Sequence, residues 1–165
     1  MKARLGLAVV LLLGLAMPVL GQQTAGDTEL QLQGNVFVGG SGSQDNRGSA
    51  SVTLGRFVTD LQELGINAGG TFVANGKVDG SGGVFYRYNF STGKVVPYLG
   101  VAAGSTFGNS GAGTSTTATA EGGIRFFVDR KTAFTVETSK SYSFKDKEFD
   151  KGLSIQLGFS HLWGK

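Results

Sequence analysis

The chain has no cysteine, a single histidine, and one long apolar run. Without cysteine there is no disulfide, no zinc–thiolate site and no cysteine nucleophile. His161, with aspartates scattered through connecting segments, offers none of the ligand spacings of a metal centre, and no other cofactor motif is present, so no cofactor is expected. The apolar run, Leu5 to Ala16, is shorter than the ~20 residues a helix needs to cross a bilayer.

That run fits a leader. Lys2 and Arg4 precede it, Pro18 breaks it, and Gly21 follows with Val19 two residues before. Residues 1–21 therefore read as a secretory signal peptide cleaved after Gly21, leaving residues 22–165 as one exported domain. Cleavage removes two of the 15 basic residues; the remaining 13 stand against 12 acidic ones, a formal net charge of +1. The sequence pI of about 9.3 thus signals no nucleic-acid partner.

Glycine is abundant, 28 in all, which first suggests low complexity. Alternation argues otherwise. In "ATAEGGIRFFV", residues 118–128, one parity carries Ala118, Ala120, Ile124, Phe126 and Val128, and the other Thr119, Glu121, Arg125 and Phe127. Successive strand residues point to opposite faces, so the stretch reads as a strand with one apolar face. Seven more segments repeat the pattern, among them Leu30 and Leu32 against Gln31 and Gln33, Val52 and Leu54 against Ser51 and Thr53, and Leu64 and Ile66 against Gly65 and Asn67. The others set Val84, Tyr86 and Tyr88 against Phe85 and Arg87, Leu99 and Val101 against Tyr98 and Gly100, Phe134 and Val136 against Thr135 and Glu137, and Ile155 and Leu157 against Ser154 and Gln156. The reading is all-β: eight strands and no helix.

Connections after odd strands are long, polar and glycine-rich ("GGSGSQDNRG", "ANGKVDGSG", "GSTFGNSGAGTS", "SYSFKDKEFDKG"); those after even strands are short ("VTDLQE", "STGK", "DRK"). Even strand number, strands of about ten residues and this asymmetry form the pattern of an antiparallel up-and-down transmembrane β-barrel. The serine-, threonine- and glycine-rich face would make a poor soluble core but can fill an eight-stranded interior, while the apolar face suits lipid. Phe57, Tyr88, Phe90 and Trp163 lie near the short-turn end and are expected to form an interfacial girdle.

At this point the chain resembles the small eight-stranded outer-membrane barrels of the OmpA/OmpX type, found in Gram-negative envelopes. The resemblance spans the mature chain and is carried by "VPYLGVAAG" (96–104), which is similar to the fifth-strand Pro-Tyr-x-Gly signature, and by the closing strand "LSIQLGF". It implies location in the cell outer membrane, contact with outer-membrane lipids and the barrel-insertion machinery, and a monomer, here without a following peptidoglycan-binding domain. Members usually end on an aromatic residue; this chain ends "HLWGK", with Trp163 the nearest equivalent.

Inward parity collects Arg87, Glu121, Arg125 and Glu137, two of each sign, with Glu63 nearer the short-turn end. An odd-numbered turn at "DRK" sets Arg125 opposite Thr135 and makes Glu137 its diagonal neighbour, so a neutral network filling the lumen is expected, with Arg125 paired to Glu137. The function class this favours is a structural or surface-interaction barrel; a narrow, porin-like channel for small solutes is the alternative. A lipid-modifying enzyme is third: lipid A deacylases share the architecture, but their motif needs a serine two residues after the histidine, and Trp163 stands there. His161 reads as an interfacial residue beside Trp163. The last long connection interleaves Tyr142, Phe144 and Phe149 with Lys145, Lys147 and Lys151, a candidate surface-contact loop whose lysines suit lipopolysaccharide phosphates.

Overall fold

The computed structural model describes residues 23–37, 47–73, 78–108, 114–149 and 153–164. The expected signal peptide and Lys151 lie outside the described residues.

The elements, in order, are β1 (Thr28–Phe37), β2 (Arg47–Phe57), β3 (Gln62–Val73), β4 (Val78–Asn89), β5 (Val95–Gly108), β6 (Ser115–Phe127), β7 (Thr132–Ser143), β8 (Glu148–Phe149) and β9 (Ser154–Trp163). Each strand from β1 to β7 pairs antiparallel with the next, and β9 pairs with both β7 and β1, closing an eight-stranded barrel. No helix occurs among the described residues. The two-residue β8 is not part of the wall: it pairs only with the end of β7, Tyr142 opposite Phe149 and Ser143 opposite Glu148, as a hairpin.

Strands reach further into the glycine-rich segments than composition suggests. β4 begins at Val78, inside "ANGKVDGSG", and β5 runs to Gly108, through "GSTFG". Ladder bonds from both neighbours hold these residues extended despite weak propensity, Gly82 standing opposite Ala68 on β3 and Ser105 on β5.

Short turns are tied by side chains. Asp129 Oδ1 accepts from the backbone N–H of Lys131 (2.7 Å) and Thr132 (2.8 Å), and these bonds hold its carboxyl below the usual carboxylate range. Thr59 Oγ1 accepts from Leu61 and Gln62 in the same manner in the β2–β3 turn.

Parity holds all round the wall. Leu32, Ile66, Leu99, Val101, Ile155 and Leu157 are each more than half exposed, and register joins them into one belt: Leu32 lies opposite Phe159 and Val52, Ile66 opposite Leu54 and Val84, Val136 opposite Leu157 and Ile124. A soluble monomer does not carry so continuous an apolar girdle, since each such side chain left in water forfeits about 1.5–3 kcal/mol of burial. In lipid it costs nothing.

Candidate functional site

The lumen encloses buried charged and polar side chains, among them Glu29, Glu63, Arg87, Glu121, Arg125 and Glu137, and it is layered. At the short-turn end Phe57, Val96, Phe127, Ala133 and Leu162 form an apolar cluster. Residues 23–26 fold across this end: Gln23 Nε2 donates to the carbonyl of Ser91 (3.2 Å), Ala25 N–H donates to Asp60 Oδ1 (2.8 Å), and Gly26, at φ +94, donates to the Phe57 carbonyl. Glycine is required at that turn because other residues rarely take such a φ.

Phe57 therefore does not belong to the girdle. It is 1% exposed and points inward, whereas Tyr88, Phe90 and Trp163 stand on the outer face, Trp163 stacked with His161 at 6.4 Å between centroids. The reason is parity: Phe57 shares odd numbering with inward Thr53 and Gly55, and nearness to the turn does not change the pleat.

Above the cluster lies Arg125, fully buried. Its Nη2 is 2.8 Å from Glu29 Oε2 and 3.2 Å from Glu63 Oε2, and its Nη1 donates to Asn89 Oδ1 at 3.2 Å. Next comes Arg87, whose three nitrogens are all engaged: Nε with Glu121 (2.6 Å), Nη1 with Gln31 (2.8 Å) and Nη2 with Glu137 (3.1 Å). Tyr98 links the two layers. Both guanidiniums lie near its ring, at 5.2 Å and 5.3 Å, and its hydroxyl donates to Glu137 at 2.6 Å.

Two expectations are thereby corrected. Arg125 pairs with Glu29 and Glu63 rather than Glu137, which Arg87 and Tyr98 hold. The network is also not two of each sign: four carboxylates, Glu29, Glu63, Glu121 and Glu137, face two guanidiniums. The expected register was right, Arg125 lying opposite Thr135, but a long side chain in a closed barrel reaches across the lumen as readily as along the wall. Sequence reasoning missed Glu29, Gln31, Asn89 and Tyr98 as members; parity carried the signal, since Glu29 continues the inward series of Gln31 and Gln33.

Large inward side chains fit because glycines stand beside them. A Cβ at Gly123 would lie 2.7 Å from the Tyr98 ring and hydroxyl, and one at Gly100 2.7 Å from Glu121 Oε1 and 2.9 Å from Arg87 Cγ.

Beyond Arg87, toward the long connections, the lumen opens into a cavity of about 290 Å³ lined by serine, threonine, asparagine and glutamine side chains over a floor of Arg87, Glu121 and Glu137. No group of three or more potential metal ligands occurs among the described residues.

No family model matches the chain, and no curated protein matches it in sequence. Solved structures do match. The N-terminal β-barrel domain of Pseudomonas aeruginosa OprF aligns with a TM-score of 0.67 at 16% identity, covering 86% of this chain and 100% of that one. The fold is that of the small outer-membrane β-barrels. Neisserial surface protein A shares it with a TM-score of 0.60 at 14% identity over 86% of this chain and 98% of its own. So does the P. aeruginosa outer membrane protein OprG, with 0.56 at 10% identity over 87% and 99%. At these identities the likeness is one of fold, and what this barrel does must be argued from its own residues.

The candidate contact loop sits on the outer face of the barrel at the long-connection end. Tyr142 packs edge-on against Phe144 (5.3 Å) and Phe149 (5.0 Å), and Lys140 Nζ lies 6.0 Å over the Phe149 ring. Phe144 and Phe149 are exposed, and Lys145 and Lys147 occupy the hairpin tip, whose turn is fastened by Ser143 and Asp146.

Proposed function

We propose that the protein resides in the outer membrane as a barrel closed at its short-turn end, with a structural or surface-interaction role exercised through its long-connection rim. The observation that carries this is the closure. Phe57, Val96, Ala133 and Leu162 come from four different strands and are 0–2% exposed, so no water-filled path runs past them. Directly above, Arg125 and Glu63 are 0% exposed. A conducting lumen would leave such groups wet.

The partner we favour at the rim is the anionic outer-leaflet glycolipid, lipopolysaccharide. Parity puts Lys140, Tyr142 and Phe144 on the lipid side, where exposed aromatic rings suit acyl chains and headgroup level and lysines suit phosphate. Catalysis is not part of this reading: His161 stands exposed on the outer face while Ser160 is buried on the other, so the two do not form a nucleophile–base pair.

Cell fractionation is the test of location. The protein should sediment with the outer membrane and migrate differently on gels with and without boiling, because a closed barrel resists detergent until heated. A fully soluble periplasmic protein with no heat shift contradicts the reading. Lipopolysaccharide should co-purify with the wild type and be depleted in Phe144→Ser/Phe149→Ser; equal recovery removes the hairpin from the account.

A further inference from the structure

We propose that the cavity above Arg87 is a binding cup for a small polyhydroxylated amine, with the chemistry of an amino sugar, seated with its ammonium group on the Glu121–Glu137 floor. The inference rests on the closed-lumen reading in taking that floor as the end of the cavity.

Size comes first. About 290 Å³ lies at the lower edge of the range of small-molecule pockets, roughly 300–1,000 Å³. As solvent alone it would hold on the order of ten waters at ~30 Å³ each.

The walls exclude apolar ligands. The only apolar side chains lining the cavity are alanines, and it holds no aromatic ring. Hydroxyls line it from several strands, Ser51 on β2, Thr71 on β3, Thr119 on β6 and Ser139 on β7, with the amides Asn67 and Gln156 between them. Each hydroxyl both donates and accepts, which is what a ring of ligand hydroxyls needs on every side.

The floor selects the charge. Arg87, Glu121 and Glu137 are the only charged residues lining the cup, one cation against two anions. Each nitrogen of Arg87 donates, to Glu121, Gln31 and Glu137, and two of these bonds go to the floor carboxylates, so its charge is already matched within the floor and the second carboxylate leaves the floor net negative. The accessible 7% of the Glu121 side chain and 4% of that of Glu137 belong to residues that line the cup. An incoming anion meets two carboxylates; an ammonium group meets acceptors in a setting drier than bulk water, where charge-assisted bonds are strongest.

The test is an NMR titration of the refolded full-length protein in detergent micelles with D-glucosamine, N-acetyl-D-glucosamine, D-glucose and sodium chloride. Glucosamine should give saturable shifts of the Thr119, Ser139 and Gln156 amides and bind at least about ten-fold more tightly than either neutral sugar, the discrimination expected of one charge-assisted contact. Glu121→Gln should weaken it about ten-fold, and Thr119→Leu, which fills the cup and leaves the floor charges in place, should abolish it. The heat shift on gels certifies that each variant is folded. Absence of saturable shifts, equal binding of glucose, or loss of the glucosamine shifts at matched sodium chloride overturns the proposal. Steady currents in planar bilayers overturn the closed lumen instead, and leave saturable binding standing.

Discussion

Arg87 and Glu121 form a 2.6 Å ion pair although a whole strand separates them. Arg87 lies on β4 opposite Gly100 of β5, and Gly100 lies opposite Glu121 of β6. The pair closes over the glycine, where a Cβ would come within 2.9 Å of both partners. Gly100→Val should therefore part a buried pair and destabilise the barrel by about 3 kcal/mol, the lower end of the range for such losses, because the cup above is polar. Gly34→Val, whose Cβ would meet only the Ser49 carbonyl at 3.5 Å on the outer face, should change stability by less than about 1 kcal/mol. Urea unfolding in detergent measures both.

The pairing pattern can be read by double-mutant cycles. Arg87 with Glu137 should show a coupling within the 0.5–3 kcal/mol range of contacting residues, roughly, whereas Arg125 with Glu137 should be smaller, since Arg125 is held by Glu29 and Glu63. A larger Arg125–Glu137 coupling would restore the pairing expected from the hairpin alone.

Phe57 and Phe90 offer a matched contrast near the same end of the barrel. Phe57→Ala removes a ring that is 1% exposed and should cost about 3–5 kcal/mol; Phe90→Ala removes one that is 57% exposed and should cost markedly less. Equal losses would put Phe57 back in the girdle.

On the wall, Leu157→Arg should lower stability in lipid by about 2–4 kcal/mol if the site lies near the midplane, while Ser154→Arg, on the inward face of the same strand, should be milder. Equal tolerance in reversible unfolding from liposomes would mean the two faces are exchanged.

The wall was legible in the sequence because a strand's period of two is a local property: Leu153 to Phe159 declare their face without reference to any other strand. The Asp129–Lys131 turn was legible for the same reason, and with it the pairing of Arg125 with Thr135. What lay hidden depends on closure. Glu29 and Glu63 meet Arg125 only because β1 and β3 curl round to face β6, and no sequence spacing encodes that distance. The extension of β5 to Gly108 was hidden too, because neighbouring ladders rather than propensity hold those residues extended. Phe57 was legible by parity and misread by position.

Conductance tests the closed lumen most directly. Refolded wild-type protein in planar bilayers should give no steady current above that of the protein-free membrane, because Phe57, Val96, Ala133 and Leu162 seal one end and Arg125 with its carboxylates fills the layer above. Steady single-channel steps in the wild type, enlarged by Phe57→Ala, would contradict it and make the barrel a channel.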